Sequence, residues 1–244
     1  ILAYRDGRGL ALARCFVEGK LKNQANLLKY FSKYRRNSDP ALFEALQAVC
    51  RRLEDTLREL EEIKGENVDE ARPQIFSVEG RAAQQYWEAV GLLLGGRAEF
   101  SGRAHREAAD PVNSALNYGY GILYGQVWGA VMLAGLEPFA GFLHTDRPGK
   151  PSLVLDLTEE FRAAVVDRAI VSFFTRGGTL TMEEGKLSAE SRREVARRVL
   201  ERLDGDENYE GKKHRVRTVI QMQSRRLASF LRGEGKYRPF VAGW

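Results

Sequence analysis

Glu79, His144, Asp156 and Glu159 are the residues of this 244-residue chain whose types and surroundings best suit chemistry. Asp156 and Glu159 sit in Leu153-Val154-Leu155-Asp156-Leu157-Thr158-Glu159-Glu160-Phe161-Arg162, where a spacing of three puts both carboxylates on one helix face. Leu155, Leu157 and Phe161 around them imply a largely buried turn, and a carboxylate taken out of water requires a cation. A divalent metal held by two carboxylates and an imidazole meets that requirement. Oxygen ligands favour magnesium or manganese, and a histidine tilts the choice toward manganese. Glu79 lies in Ser77-Val78-Glu79-Gly80-Arg81-Ala82-Ala83, and His144 follows Gly141-Phe142-Leu143. Plainer roles stand beside this one: Glu79 as a favourable charge at a helix start, Asp156 paired with Arg162 or Lys150, His144 packed in a loop. Spacing alone does not show that the four residues meet.

The charge distribution points to a polyanion. Residues 1–36 carry nine basic side chains against Asp6 and Glu18, a balance of +7, and residues 212–238 carry nine against Glu234, a balance of +8. With a net charge of +5 for the chain, the middle is −10. Two basic ends around an acidic middle fit a phosphate-binding surface beside carboxylate chemistry, although solvated helix faces give the same pattern. Cys15 and Cys50 lie in helical stretches without CxxC spacing, which argues against a disulfide framework or zinc site and for a reducing cytoplasm. Val112 to Leu136 has no charged residue, but Asn113, Ser114, Asn117 and Gln126 interrupt it, so a buried helix is expected there and not a membrane span. The chain opens on Ile, so a preceding segment is expected.

These residues must be positioned by helices, because apolar residues recur at helical spacing almost throughout. Leu10, Ala13, Val17, Leu21, Leu28 and Phe31 form one stripe, and Asp39-Pro40 starts a second helix. Pro73 is expected to end the acidic run, with a third helix from Ser77 or Val78. Asp110-Pro111 starts the uncharged helix, whose Gly121, Gly125 and Gly129 are expected to let a neighbouring backbone approach. Leu153 to Phe174 reads as one helix, Thr179 to Leu187 as a small hairpin turning at Glu184-Gly185, and Ser188 as the cap of a charged helix to Leu203. Residues 204–211 read as a loop and 212–231 as a basic helix. The expectation is one all-α domain over 1–244, with at most a small β-hairpin. Within it lie a basic first helix (1–36), an acidic helix and loop (37–75), site-bearing helices (76–175), and a hairpin with basic C-terminal helices (176–244).

The order Glu79-Gly80-Arg81-Ala82-Ala83-Gln84-Gln85-Tyr86, Asp110-Pro111-Val112-Asn113 with Tyr118-Gly119-Tyr120, Gly141-Phe142-Leu143-His144 and Asp156-Leu157-Thr158-Glu159-Glu160-Phe161-Arg162 resembles CRISPR-associated protein one, the integrase of spacer acquisition. Lys20-Leu21-Lys22-Asn23-Gln24 and Tyr237-Arg238-Pro239-Phe240 are similar to that family too. The resemblance implies metal ligands at Glu79, His144 and Glu159, with Asp156 as an additional active-site carboxylate. It implies magnesium or manganese as cofactor and a metal-dependent endonuclease and integrase, in which a DNA 3′-hydroxyl attacks a phosphodiester at a CRISPR repeat. Implied partners are double-stranded DNA (the captured prespacer and the leader-repeat), a second copy of the chain, and CRISPR-associated protein two. Arg103 and Tyr120 are expected near DNA, and Lys212, Lys213, Arg215, Arg217, Arg225 and Arg226 form the candidate phosphate track. Many relatives have Asp where Glu159 stands, and His105-Arg106-Glu107-Ala108-Ala109 departs from their basic, proline-containing pattern. The family's β-rich domain, which precedes the helical one, has no counterpart in this sequence. Two other readings share parts of the pattern: a noncatalytic DNA-binding adaptor, and a metal hydrolase of small phosphoesters.

Overall fold

Short polar side chains start the long helices. The computed structural model of the chain describes residues 2–33, 35–104, 110–145 and 148–243. After α1 (Leu2–Arg5), Asp6 caps α2 (Gly7–Ser32) by accepting from the Arg8 amide at 2.9 Å. Asp39 and Asp110 likewise cap α3 (Pro40–Glu62) and α5 (Pro111–Leu133), each with proline first in the helix, where no amide is needed. Between them, α4 (Val68–Leu94) begins well before the expected Ser77, because the Asn67 side chain accepts from the amides of Asp69 and Glu70. Pro73 lies inside this helix. As the sixth residue of the helix it gives up one interior hydrogen bond, to the Asp69 carbonyl, while Arg72 beside it is tied down by its side chain. Glu79 is consequently a mid-helix residue, which removes the helix-start explanation for it.

The helix expected from Leu153 to Phe174 is three pieces: α6 (Ser152–Glu159), a π-helical turn (Ala163–Asp167) and α7 (Arg168–Thr175). The π turn lies against α5 at Gly119, where a Cβ would stand 2.7 Å from Val166 Cγ1. The close approach expected at Gly121, Gly125 and Gly129 does not occur. These three are exposed, and a Cβ on any of them would meet nothing within 4 Å.

The hairpin β1 (Met182–Glu183) and β2 (Lys186–Leu187) turns at Glu184-Gly185, both with positive φ, and Ser188 caps α8 (Ala189–Asp204). A second hairpin replaces the expected loop and the first turn of the basic helix. β3 (Asp206–Tyr209) pairs antiparallel with β4 (Lys212–Arg215), Tyr209 opposite Lys212, and α9 (Val216–Leu231) starts only afterwards. The turn repeats the first hairpin's chemistry, with Glu210 at φ 53 and Gly211 at φ 77.

The helices α2, α3 and α4 pack on one another, and α5 packs against α6, α8 and α9. Contacts of α2 with α6 and the π turn, and of α4 with α7, join the two groups around one core. The helical architecture with minor β-structure agrees with expectation. Among the described residues, no helix is long and apolar enough to cross a membrane.

Candidate active site

Three helices converge on one ammonium group. Lys20 of α2 places Nζ 2.5 Å from Glu79 Oε1 of α4 and 2.6 Å from Glu159 Oε2 at the end of α6. Arg162, one turn beyond, donates from Nη1 to the other Glu159 oxygen at 2.8 Å. Burial alone would raise the Glu159 pKa, but the charges of Arg162 and Lys20, with a smaller effect from His144, hold it well below the usual carboxylate range. Burial likewise opposes the charge on Lys20, and Glu159 and Glu79 more than offset it, so the Lys20 pKa is raised. Although Lys20 lies so close, Glu159 Oε2 is buried with no well-aligned hydrogen bond.

His144 is held by two other elements. Asp156 of α6, fully buried, accepts the amides of Phe142 (2.6 Å), Leu143 (2.9 Å) and His144 (2.9 Å), and contacts His144 Nδ1 at 2.7 Å. Arg72 of α4 donates to the carbonyls of Leu143 and Phe142, each at 3.0 Å. The loop is thus gripped through its N–H groups by a carboxylate and through its C=O groups by a guanidinium. Asp156 spends both oxygens on this grip, leaving His144 with Nε2 unengaged by that contact. Asp156 holds the 142–144 loop in this way, and neither of the pairings weighed for it, with Arg162 or Lys150, is formed.

Tyr120 of α5 and Tyr86 of α4 both donate their hydroxyls to Asp167 at the end of the π turn. Burial raises the Asp167 pKa against the lowering effect of the Tyr120 hydroxyl, Arg162 and Tyr86. The Arg162 guanidinium lies 4.1 Å over the Tyr120 ring and Arg103 lies 5.4 Å from it, so this tyrosine connects the Glu159 site to the 102–104 loop. Arg103 itself bonds Asn113 at 2.9 Å and Asn117 at 2.5 Å. The neighbouring His105 to Ala109 stretch lies outside the described residues.

Glu160 faces the opposite way. It accepts from Tyr237 Oη at 2.6 Å, Gln223 Nε2 at 2.8 Å and the Phe240 amide at 2.8 Å, and Phe240 stacks on Phe161 with ring centres 4.8 Å apart. Asn23 of α2 adds bonds to the carbonyls of Glu160 and Phe240 and accepts from the Ala242 amide. The Tyr237–Ala242 strap therefore fastens α2 to α6. Burial pushes the Glu160 pKa up to about 7, only partly countered by the Phe240 amide, Tyr237 and Gln223.

The basic C-terminal residues divide in two. Lys212, Lys213, Arg215 and Arg225 face solvent, whereas Arg217 pairs with Asp204 at 2.6 Å and Arg226 pairs with Glu210 over the Tyr209 ring. Lys213 shares an open cleft of about 770 Å³ with Lys29 and Lys33, so the two basic ends of the sequence meet there.

Of the sequence-derived site, Glu79 and Glu159 are brought to one point, His144 is felt electrostatically at Glu159, and Asp156 stands behind His144. Among the described residues, no three carboxylate, imidazole or thiol groups already stand in a metal-holding arrangement. The donor set nevertheless fits a hard divalent ion. Two carboxylates share a cation, one buried carboxylate oxygen lacks a directed partner, and the imidazole has its Nδ1 fixed by a carboxylate in the manner of many metal-binding histidines. The partners Lys20, Arg72 and Arg162 were not read from the sequence as site residues. Their signal was the presence of long cations within otherwise buried helix faces.

The sequence profile described as CRISPR associated protein Cas1 matches residues 1–201. A CRISPR-associated endonuclease Cas1 of Archaeoglobus fulgidus is 37% identical over 255 residues, spanning all of this chain and 74% of that protein. Among solved structures, a casposase bound to integration product superposes with a TM-score of 0.82 at 27% identity, over 97% of this chain and 68% of its own. A Cas6-RT-Cas1–Cas2 complex superposes with a TM-score of 0.79 at 22% identity, over 97% of this chain and 25% of its own, and shares the fold. On its helical architecture, the order of its site residues and these matches together, the chain belongs to the CRISPR-associated protein Cas1 family.

Proposed function

We propose that this chain is the helical catalytic part of a metal-dependent DNA endonuclease and integrase that inserts captured DNA fragments into a CRISPR array. The observation that carries the reading is the meeting of Glu79 and Glu159, from separate helices, on one cation beside an oriented His144. The reaction is transesterification: a DNA 3′-hydroxyl forms a new P–O bond as an existing phosphodiester P–O bond breaks. Glu79, Glu159 and His144 through Nε2 would hold Mg2+ or Mn2+. When bound, such an ion supplies polarisation of the phosphoryl oxygen and stabilisation of the charge that develops on it.

The chain's own residues set that stage. Asp156 and Arg72 fix the His144 loop, and contact of His144 Nδ1 with Asp156 leaves the other nitrogen for the site. Arg162 keeps Glu159 ionised, so the carboxylate meets a cation without first losing a proton. Tyr120 holds Arg162 by its ring and Asp167 by its hydroxyl, which makes it a support for the site. Arg103, Lys212, Lys213, Arg215 and Arg225 are assigned to the DNA backbone, with Arg217 and Arg226 exchanging their present carboxylate partners for phosphates. Such contacts hold duplex without reading bases. Double-stranded prespacer and leader-repeat DNA, a second copy of the chain and Cas2 are the assigned partners, in a prokaryotic cytoplasm. Support for these comes from the resemblance and from what the matched structures contain, a casposase with integration product and a Cas1–Cas2 assembly.

The test separates holding DNA from joining it. In the full-length protein with Cas2, His144→Ala should lower Mn2+ affinity and strand transfer by orders of magnitude, since metal stabilisation is worth several kcal/mol at the transition state, while duplex affinity stays near wild type. Integration of a labelled fragment at the wild-type rate would replace this reading with a noncatalytic DNA-binding adaptor. Turnover of a small phosphoester without strand transfer would point to a phosphoesterase.

A further inference from the structure

We propose that Lys20 is an internal counter-ion that occupies the cation position of the metal site in the metal-free protein and must rotate out when a divalent ion binds. The proposal rests on the metal-site reading above. Its basis is geometric: Lys20 Nζ lies 2.5 Å from Glu79 and 2.6 Å from Glu159, the two carboxylates assigned to the metal. A divalent ion would need to approach the same oxygens to about 2.0–2.6 Å. Two cations cannot both stand that close to one pair of carboxylates, because their mutual repulsion in a buried setting is large.

The surroundings identify which cation leaves. Arg162 also touches Glu159, but its guanidinium is anchored over the Tyr120 ring at 4.1 Å and it engages the other carboxylate oxygen. Lys20 has no such anchor among its described contacts, and its flexible four-carbon stem can reorient without a planar partner being given up. The backbone beside it cannot follow. Gly19 is pressed against the strap and α6 so tightly that a Cβ there would lie 2.9 Å from Pro239 Cβ and 3.0 Å from Glu160 Cγ. Release is therefore a side-chain rotation, with α2 staying in place. In the metal-free state the lysine keeps the buried Glu159 and the part-exposed Glu79 carboxylates together; in the loaded state the freed ammonium hangs at the rim of the site.

The experiment is calorimetric titration of Mn2+ into the full-length wild-type protein and Lys20→Met. Loss of the competitor should tighten Mn2+ binding at least tenfold. In chelator Lys20→Met should melt below wild type, so that Mn2+ raises its Tm by the larger amount. A Lys20→Met protein with wild-type circular dichroism and unchanged or weaker Mn2+ affinity would overturn the proposal. If that variant does not fold, Lys20→Gln, which keeps hydrogen-bonding capacity without charge, must give the same tightening. In the wild type, Mn2+ should increase acylation of Lys20 by an amine-reactive reagent, read by peptide mass spectrometry, and no increase would count against release. The site reading fails separately: Mn2+ affinity that Glu79→Gln leaves unchanged would show that the metal does not bind here at all.

Discussion

Glu159 and Glu160 are neighbours in sequence, both buried, and end up in opposite electrostatic regimes. Glu159 faces the site, where Lys20 and Arg162 hold it ionised. Glu160 faces the C-terminal strap, where its partners are a phenol, an amide side chain and a backbone N–H, none of them charged, and burial lifts its pKa to about 7. Equal burial thus produces opposite outcomes, and the formal charge of the partners decides between them. The site side stores charge ready for a cation. The strap side uses a carboxyl that burial leaves partly protonated near neutral pH as its clasp.

The largest break in this contrast should come from Arg162→Met. It leaves Glu159 buried with one charged partner fewer, and removing one member of a buried pair costs roughly 3–5 kcal/mol. Urea unfolding at neutral pH would read this as a lowered midpoint. A loss under about 1 kcal/mol would mean that Lys20 alone suffices for Glu159.

Glu160→Gln should sharpen the contrast through pH. The folded pKa of Glu160 is raised above its unfolded value near 4.5, so its contribution is fully present below about pH 4.5 and is lost as pH rises through about 7. That amounts to about 3 kcal/mol across the window. Glu159 has the opposite sign: with a depressed folded pKa, its contribution is present above its unfolded value near 4.5 and is lost on acidification. Glu160→Gln should flatten the decline of Tm between pH 5 and 8 and leave the acid limb intact, while Glu159→Gln should affect the acid limb. Parallel Tm profiles for wild type and Glu160→Gln would remove the clasp's pH dependence.

The smallest effect belongs to the surface. Arg217 and Asp204 form a part-exposed pair of a kind that contributes about 0–1 kcal/mol, so Arg217→Ala should scarcely move the unfolding midpoint. It should instead reduce the salt dependence of duplex binding by roughly one phosphate contact. Stability loss comparable to Arg162→Met would make this residue part of the scaffold.

The helices were legible where local chemistry declares them, as at Asp39-Pro40 and Asp110-Pro111, whose caps form as read. Pro73 misled because a proline ordinarily ends a helical pattern, although Asn67 with Glu70, and Val68, Ala71 and Ile75 at helical spacing, carried the earlier start. The β3–β4 hairpin was hidden because Lys212-Lys213-His214-Arg215 has no alternation of apolar and polar residues. Glu210-Gly211, the same turn pair as Glu184-Gly185, was the available clue. Glu79 and Glu159 were legible as chemistry, but their convergence was implied by the resemblance alone, since Lys20 reaches Glu79 across 59 positions and local periodicity carries nothing about such distances. Asp156 was legible as a buried acid, yet its role depends on three amides of a loop twelve to fourteen residues upstream.

The π turn from Ala163 to Asp167 makes chain length itself a functional variable. A π turn holds one residue more than the α-helix it interrupts, and each residue of an α-helix turns the chain by about 100°. Wound as ordinary α-helix at the same length, the segment would turn Asp167 by about 100° away from Tyr86 and Tyr120, with every side chain named at the site still in the sequence. The number of residues between Arg162 and Asp167 and the winding of that one turn must therefore match for Arg162 to stay supported.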